Sequence, residues 1–474
     1  MISFTCCLIA LIVGYFTYGK FIERIIGINP QKQTPAYSLQ DNVDYIPMPT
    51  WKVFMIQFLN IAGLGPIFGA IMGAKFGTAS FLWIVLGSIF AGAVHDFISG
   101  MLSLKHEGES LPEIIGRYLG LKVKRFMMAF TVLLMVLVGA VFVAGPAGLL
   151  ASLTPDYLDT TFWIIAVFIY YIFATLLPVD KIIGKIYPLF AGALLFMAIG
   201  ILVMLYVTHP ALPEFSEGIA NTHPAGLPIF PIMFVSIACG AISGFHATQS
   251  PMMARCMKNE KYGRPVFYGA MITEGIVALI WAAAATYFYQ VNGTGESNAS
   301  IIVDSITKEW LGTVGGILAI LGVIAAPITS GDTAFRSARL IVADFLHLEQ
   351  RSIPKRLIIC LPLFIAAMGL LFYSLKDKDG FDMIWRYFAW CNQTLAVFTL
   401  WASTVYLTKS HKPYWVTLLP ALFMTMVCCT YIFVAPEGLH MQLNVSLAVG
   451  AVVTLLSLIL FCRFKKNMAV EEKE

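Results

Sequence analysis

The chain contains 474 residues, of which 58% are hydrophobic and only 12% are charged. This charged share is about half that of an ordinary soluble domain, so the composition excludes a water-soluble fold and indicates a protein whose outer surface faces lipid. The formal net charge is +4 and no basic cluster is interleaved with aromatic residues, so nucleic acid is excluded as a partner. The nine cysteines form no CxxC pair, and we expect them to be small apolar residues.

Apolar runs divide the chain into segments long enough to cross a bilayer, which takes about 20 residues of helix. These runs predict an all-α polytopic membrane protein of about thirteen transmembrane helices. The predicted spans lie near 2–20, 53–74, 79–103, 126–150, 161–178, 187–208, 229–249, 266–290, 312–330, 357–374, 383–408, 413–435 and 443–462. The run 383–408 is the least regular, because polar residues interrupt it.

The basic residues predict the orientation of these spans. We place the N-terminus outside the cytoplasm and let the chain cross the membrane at every predicted span. Only five of the 31 lysines and arginines then lie on the outer side, and the remaining 26 lie on the cytoplasmic side. The outside five are Lys75, Lys308, Lys376, Lys378 and Arg386. Because cytoplasmic loops carry an excess of Lys and Arg, we predict a multi-pass protein of the cytoplasmic (inner) membrane with a cytoplasmic C-terminus.

Two of the predicted spans contain residues that interrupt a helix. The second span holds the run from Asn60 to Pro66, in which Pro66 removes a backbone donor and Gly63 and Gly65 make unwinding easy. The seventh span is interrupted by glycine across 239–251 and carries small polar side chains. Tight helix packing would explain one such helix equally well, since small residues allow close contacts in membranes.

The two interrupted helices are five spans apart and run in opposite directions, which favours two five-helix repeats in inverted topology. The predicted divisions are 1–51, an N-terminal span and linker; 52–211 and 212–408, the two repeats (spans 2–6 and 7–11); and 409–474, two further spans and a tail. Unwound backbone at membrane depth requires cover by protein or a water-filled cavity, so we predict that these helices bind the substrate. The predicted substrate residues are Asn60, Gly63, Gly65, Ser243, Gly244, His246, Gln249, Asn392 and Gln393.

Ionisable side chains inside predicted spans are candidates for ion or proton coupling, because they are costly to place in lipid. The predicted coupling residues are Asp96, Glu274, Thr329, Ser330 and Asp332. Asp96 and Glu274 have the alternative role of pairing with loop arginines at helix ends. Alternatively, His246 is an ordinary packing residue. Asn392 and Gln393 could instead form hydrogen bonds between helices.

Thr329 and Ser330 are predicted to close the ninth span at its cytoplasmic end, with Asp332 nearby. In transporters with an inverted five-helix repeat, hydroxyls at this position and carbonyls of the first broken helix commonly hold a sodium ion. Oxygen ligands suit a hard cation, so the two hydroxyls are a candidate sodium site. Alternatively, the two hydroxyls only follow a kink in the helix at Pro327 and bind no ion.

The chain resembles the carbon starvation protein A (CstA) family of bacterial and archaeal membrane proteins over most of residues 30–408. The matching stretches are Thr34-Pro-Ala, Asp44-Tyr-Ile-Pro47, Asn60–Pro66, Ala91-Gly-Ala-Val-His-Asp-Phe97, Glu109-Ser-Leu111, 237–247, Tyr268-Gly-Ala-Met271 with Glu274, Thr329–Arg339 and Asn392-Gln393. The Ser243-Gly-Phe-His246 block is the most specific of them. The resemblance implies import of pyruvate or of peptides when carbon is scarce, and a leucine-transporter-like core.

Three departures from the longer members of the family affect the substrate. The chain is shorter, His95 stands where those members have glutamine, and Thr248-Gln249-Ser250 stands where they have two serines. We therefore predict a cation- or proton-coupled importer of pyruvate or a similar small carboxylate. The alternatives are a peptide or amino-acid importer, a channel, or a transporter-like sensor.

An intramembrane enzyme is excluded at this stage, because no HExxH, GxSxG or paired-aspartate motif occurs. No cofactor is expected apart from a sodium ion or a proton as the coupling ion. The expected partners are the substrate and the lipid bilayer. The oligomeric state, the choice between sodium and protons, and the substrate itself are left open by the sequence.

Overall fold

The computed structural model describes residues 1–41, 44–176, 179–295, 298–346, 348, 353–374 and 380–471. Within these ranges the side chains of residues 152, 175–186, 314–315, 318–320, 374, 380–382 and 471 are not described. The predicted loop residues Arg351, Lys376, Lys378 and Lys473 lie outside the described residues. Only the backbone of Lys181 and Lys185 is described.

The described chain is built from helices, and its one pairing of extended backbone is an isolated bridge between Met48 and Met257. The α-helices are Ile2–Phe16, Tyr18–Ile26, Pro35–Ser38, Thr50–Ile61, Ala70–Ala74, Thr78–Gly87, Ala93–Lys105, Leu111–Leu119, Leu121–Leu153, Thr160–Leu176, Val179–Thr208, Phe234–Ser236, Gly244–Ala254, Gly269–Asn292, Ala299–Leu346, Ile353–Ser374, Gly380–Lys409, Trp415–Val434 and Leu443–Glu471. Wider π-helical turns occur at Gly65–Gly69, Ser88–Gly92, Ile229–Met233 and Arg264–Tyr268. Short 3₁₀ turns occur at Phe215–Glu217 and Glu260–Tyr262.

Each predicted span coincides with one helix or with one interrupted helix. Among the described residues, eight helices are long and apolar enough to cross a membrane, and a ninth span forms if Thr50–Ile61 and Gly65–Ala74 count as one segment bent by 53°. This confirms an all-helical polytopic membrane fold. The count of thirteen spans and the inverted repeat remain predictions.

The ninth span extends beyond its predicted end. The helix Ala299–Leu346 kinks at Gly312, whose φ is 65°, and then continues well past Ser330. The helix therefore does not end at Thr329 and Ser330, and the end of the membrane span there stays a prediction. Asp332 and Arg336 lie on the continuation of this helix and both are buried: Asp332 Oδ2 accepts a hydrogen bond from Tyr187. Neighbouring helices thus satisfy charged groups that hydropathy assigns to water.

The two interrupted helices lie at the centre of the molecule. Their half-helices Thr50–Ile61 and Gly244–Ala254 pack against each other, and Gly269–Asn292 packs on the first of them. The span Glu260–Asn292 is almost wholly buried, whereas Leu443–Val470 is mostly exposed along its length. Because lipid is the solvent for the outer helices, this gradient separates a protein-covered centre from a lipid-facing rim.

The linker before the first interrupted helix closes one end of this centre. Met48 N donates to Cys256 O over 3.0 Å, and Asn259 Nδ2 donates to Pro30 O over 2.8 Å. The Arg255 guanidinium lies 5.1 Å from the centre of the Tyr45 ring. By the predicted orientation this is the cytoplasmic end, and a space of about 20 Å³ lies there, beside Thr248 and Arg255.

Candidate functional site

The first interruption brings Gly65 against the second one. The helix Thr50–Ile61 ends at Ala62, and the chain resumes helical geometry at Gly65, with Pro66 in the first turn, where the missing N–H costs no hydrogen bond. A β-carbon on Gly65 would lie 2.2 Å from Cys239 Cβ. Glycine is therefore required at Gly65, because the two interrupted segments cross in direct contact.

The second interruption, residues 237–243, has its backbone groups satisfied by neighbouring helices. Trp83 Nε1 donates to Ile237 O over 3.1 Å, and Ser88 Oγ donates to Gly240 O over 3.0 Å. Since a buried carbonyl without a donor is destabilising, these two side chains make the unwound segment tolerable at membrane depth.

Asn392 holds the start of the half-helix Gly244–Ala254. Its Oδ1 accepts hydrogen bonds from Ser243 Oγ at 3.0 Å and from the Phe245 backbone N at 2.7 Å. Its Nδ2 donates to Cys239 Sγ at 3.3 Å. Asn392 is thus an N-terminal cap supplied by another helix, which fits the alternative of hydrogen bonding between helices. A β-carbon on Gly244 would lie 2.5 Å from Asn392 O, so Gly244 is a close-packing residue in this conformation.

A buried cluster of imidazoles and carboxylates lies beside this cap. His246 Nδ1 lies 2.8 Å from Asp96 Oδ2, and His246 Nε2 lies 3.3 Å from Glu274 Oε2. His95 Nδ1 lies 2.7 Å from Asp96 Oδ1. All four side chains have no solvent exposure. The alternative that Asp96 and Glu274 pair with loop arginines does not hold, because both face His246.

The geometry of His246 lets it exchange a proton between two carboxylates. Each ring nitrogen faces a carboxylate oxygen, and only an imidazolium carries an N–H at both nitrogens. Apart from this ion pair, neither oxygen of Glu274 makes a hydrogen bond within the described part of the chain. Glu274 is therefore placed to accept a proton that His246 releases.

Several buried amides near the interruptions have hydrogen-bonding groups without a protein partner. Both polar atoms of Asn60 and of Gln57 are unpartnered among the described residues, as is Gln249 Oε1. Gln393 Nε2 donates to Phe234 O over 2.5 Å, while Gln393 Oε1 has no hydrogen-bond partner among the described residues. A buried amide without a partner costs about 1–3 kcal/mol, so these groups require water or a ligand. Gln57 was missed by the sequence analysis, although it lies one helical turn before Asn60.

The candidate sodium ligands lie against the first interruption. Ser330 Oγ donates to Leu59 O at 3.1 Å, and Thr329 Oγ1 donates to Ala326 O at 2.8 Å within its own helix. A β-carbon on Gly63 would lie 3.3 Å from Ser330 Oγ. The Tyr187 hydroxyl joins this group by hydrogen bonds to Thr329 O and Asp332 Oδ2. Hydroxyl and carbonyl oxygens therefore meet here, and their role as a sodium site stays a prediction.

A second cavity lies at the opposite end of the interrupted helices. Its volume is about 160 Å³, and Lys75, Ser236, Trp385 and Arg386 are among its lining residues. Neither Lys75 nor Arg386 was predicted as a site residue, because hydropathy and charge place both at the outer surface.

Comparison with known proteins identifies relatives along most of the chain. The family model described as carbon starvation protein CstA matches residues 1–156, 147–300 and 291–431. An uncharacterized membrane protein of Haemophilus influenzae is 45% identical over 340 residues, which cover 61% of this chain and 92% of that protein. The peptide transporter CstA of Bacillus subtilis is 30% identical over 359 residues, covering 61% of this chain and 59% of that protein.

Two further comparisons bear on transport and on the fold. The pyruvate/proton symporter BtsT of Escherichia coli is 27% identical over 339 residues, covering 58% of this chain and 47% of that protein. The crystal structure of a manganese transporter of Eremococcus coleocola, in complex with an aromatic bis-isothiourea substituted compound, matches with a TM-score of 0.56 at 10% identity. That match covers 89% of this chain and 97% of the other. At such identity the likeness concerns the fold alone, which is that of a membrane transporter.

Proposed function

The chain belongs to the carbon starvation protein CstA family, and we propose that it is a proton-coupled secondary transporter that imports pyruvate or a similar small carboxylate. The observation that carries the proposal is the buried His246, with a carboxylate facing each of its ring nitrogens. The name of the Escherichia coli relative, a pyruvate/proton symporter, supports both the substrate and the coupling ion.

Proton coupling follows from the charge balance of the cluster. With His95 uncharged, the two carboxylates and one imidazolium of this water-excluded site carry an excess negative charge, which is costly unless it is compensated. A proton on Glu274 removes that excess, and a proton released toward the other side restores it. Ionisable groups of this kind inside membranes are typical of proton relays in transporters.

The substrate would be bound where the two interrupted helices cross. Among the described residues, Asn60 has an unpartnered buried amide N–H beside the first interruption, and we add Gln57 to the predicted substrate residues for the same reason. Gln249, on the half-helix after the second interruption, offers an unpartnered amide oxygen instead. Amide N–H groups can donate to the oxygens of a carboxylate or a keto group. Asn392 contributes by holding the half-helix in place. The inverted repeat, residues 52–211 and 212–408, is the arrangement that would allow this site to open alternately to each side.

A peptide or amino-acid importer is the second candidate, supported by the name of the Bacillus subtilis relative. Sodium coupling at Thr329 and Ser330 is the alternative for the ion, supported by the contact between Ser330 Oγ and Leu59 O. The imidazole–carboxylate cluster favours protons over sodium, because sodium as a hard cation prefers oxygen ligands alone.

Uptake by the purified protein in liposomes tests the proposal. We expect accumulation of radiolabelled pyruvate when the outside is more acidic than the inside, with no requirement for sodium. Dissipation of the pH gradient by a protonophore should stop accumulation, whereas exchange of internal for external pyruvate should continue. Accumulation that follows a sodium gradient, or pyruvate flux that never exceeds equilibration, would overturn proton-coupled transport.

A further inference from the structure

The second cavity described above, which lies at the predicted outer end of the interrupted helices and is called the outer cavity below, is lined by basic but not by acidic residues among those described. Lys75 and Arg386 are basic, His223 is the one further ionisable side chain besides Tyr431, and no acidic residue belongs to the described lining. Burial, and after it the charge of Lys75, lowers the pKa of His223, so this imidazole is neutral at neutral pH. The lining therefore includes two basic side chains around a space of about 160 Å³. The Lys75 ammonium also lies 5.3 Å from the centre of the Tyr289 ring.

The walls of the outer cavity strengthen the effect of these charges. Trp385 and Tyr431 contribute apolar surface beside Arg386. Glu437 balances part of the charge of Arg386 from behind, with Arg386 Nε 3.2 Å from Glu437 Oε2, but Glu437 does not line the cavity. Positive groups in a cleft with low-dielectric walls focus the field and raise the local concentration of anions.

The outer cavity also leads to the interrupted helices. Lys75 caps the C-terminal end of Ala70–Ala74, the second half of the first interrupted helix. Ser236 ends the first half of the second one, directly before the unwound segment 237–243. The cavity thus borders both interrupted helices. At about 30 Å³ per water, the space holds on the order of five waters, which matches a carboxylate of a few heavy atoms.

We propose that the outer cavity is an anion-binding access site, in which Lys75 and Arg386 bind the carboxylate group of the substrate before it reaches the interrupted helices. The inference rests on the proposed function for the direction of transport, but the binding of an anion by this cavity does not depend on transport. A guanidinium provides paired donors that suit a carboxylate, and Lys75 adds a second charge.

Kinetics of the Lys75→Gln variant test the site. The KM for radiolabelled pyruvate should rise about three- to tenfold at low ionic strength, with little change in the maximal rate, because the charge attracts the anion rather than reacting with it. The difference from wild type should shrink in salt above about 0.15 M, where the Debye length is about 8 Å. Lys308→Gln is the matched control: its Nζ pairs with Asp304 Oδ2 at 2.8 Å, it lies on the same predicted side, and it does not line the cavity.

Arg386 requires a different design, because its removal would leave the buried Glu437 unpaired. The double variant Arg386→Gln, Glu437→Gln keeps the local charge balanced, and its KM for pyruvate should also rise. A KM equal to wild type in both Lys75→Gln and the double variant, with normal uptake, overturns the access site and leaves the proposed function intact.

Equilibrium binding separates the two proposals. In nanodiscs, where no pH gradient exists, the wild-type protein should bind radiolabelled pyruvate, and Lys75→Gln should weaken that binding about three- to tenfold. Binding that depends on Lys75 without any uptake by wild type supports the site and refutes the transport proposal. Binding that Lys75→Gln leaves unchanged refutes the site.

Discussion

Asp96 and His246 are 150 positions apart in the sequence, yet their side chains lie 2.8 Å apart and neither is exposed to solvent. The contact joins the third predicted span to the half-helix that follows the second interruption. Because that half-helix also carries the cap from Asn392, a change in the charge of the pair acts directly on an element next to unwound backbone. In the proposed mechanism, a change in the protonation of this pair would therefore act beside the unwound segment.

Glu274→Gln is expected to separate exchange from accumulation. Glutamine has the shape of a protonated glutamate, so it should preserve packing while removing the ability to release a proton. We expect pyruvate exchange to continue and accumulation driven by a pH gradient to fall at least tenfold, as measured in proteoliposomes. Glu309→Gln changes an exposed side chain in the same way and should behave as wild type. Undiminished accumulation by Glu274→Gln would exclude Glu274 as a proton carrier.

The double change Thr329→Ala, Ser330→Ala tests the alternative coupling ion. If sodium drives uptake, loss of two hydroxyl ligands should raise the sodium concentration for half-maximal uptake, because Ser→Ala is nearly isosteric and leaves the packing little changed. If protons drive uptake, as we propose, sodium should affect neither protein. Sodium dependence that is present and identical in both proteins would refute a role for these hydroxyls.

Gly244→Ala is expected to be poorly tolerated. The added β-carbon would lie 2.4 Å from Ala396 N and 2.5 Å from Asn392 O, and these backbone atoms cannot rotate away. Overpacking of this kind costs about 1–3 kcal/mol, so the temperature of unfolding in detergent should fall. Gly148→Ala is the control, since no atom lies within 4 Å of its added β-carbon. Equal stability of the two variants would contradict the close contact.

Asn392→Ala should destabilise the second interruption. It removes the acceptor for the Phe245 backbone N–H and for the Ser243 hydroxyl, and an uncapped buried donor costs about 1–3 kcal/mol. Thermal unfolding followed by intrinsic fluorescence should show the loss. Asn292→Ala, at the end of Gly269–Asn292, removes a hydrogen bond to Phe288 O without uncapping the interruption and should cost less.

The orientation predicted from the basic residues can be tested with fusions. A reporter that is active only outside the cytoplasm should stay silent when it is fused after Glu474. The same reporter inserted in the loop 209–228 should be active, since that loop is predicted to lie outside. The opposite pattern would invert the assignment of the outer cavity to the external face.

The positions of the helices could be predicted from apolar runs, but the partners of the buried polar groups could not. Asp96, His246 and Glu274 belong to three helices, and no local pattern indicates which side chains meet. The helix of the ninth span continues past Ser330 because neighbouring helices cover charged residues such as Asp332 and Arg336, and the sequence alone does not indicate that cover. Gln57 was not predicted as a substrate residue because a glutamine near a predicted helix end usually faces water.

The accessibility of the Cys239 thiol reports on the separation of the two interrupted helices. Its thiol is buried in the unwound segment, covers Gly65 and accepts a hydrogen bond from Asn392. Any movement that separates the two interrupted helices must uncover this sulfur, and a small alkylating reagent would then reach it. Mass spectrometry of the alkylated peptide containing Cys239 therefore measures how often the crossing point opens, and added substrate or an imposed pH gradient would change that rate without any introduced label.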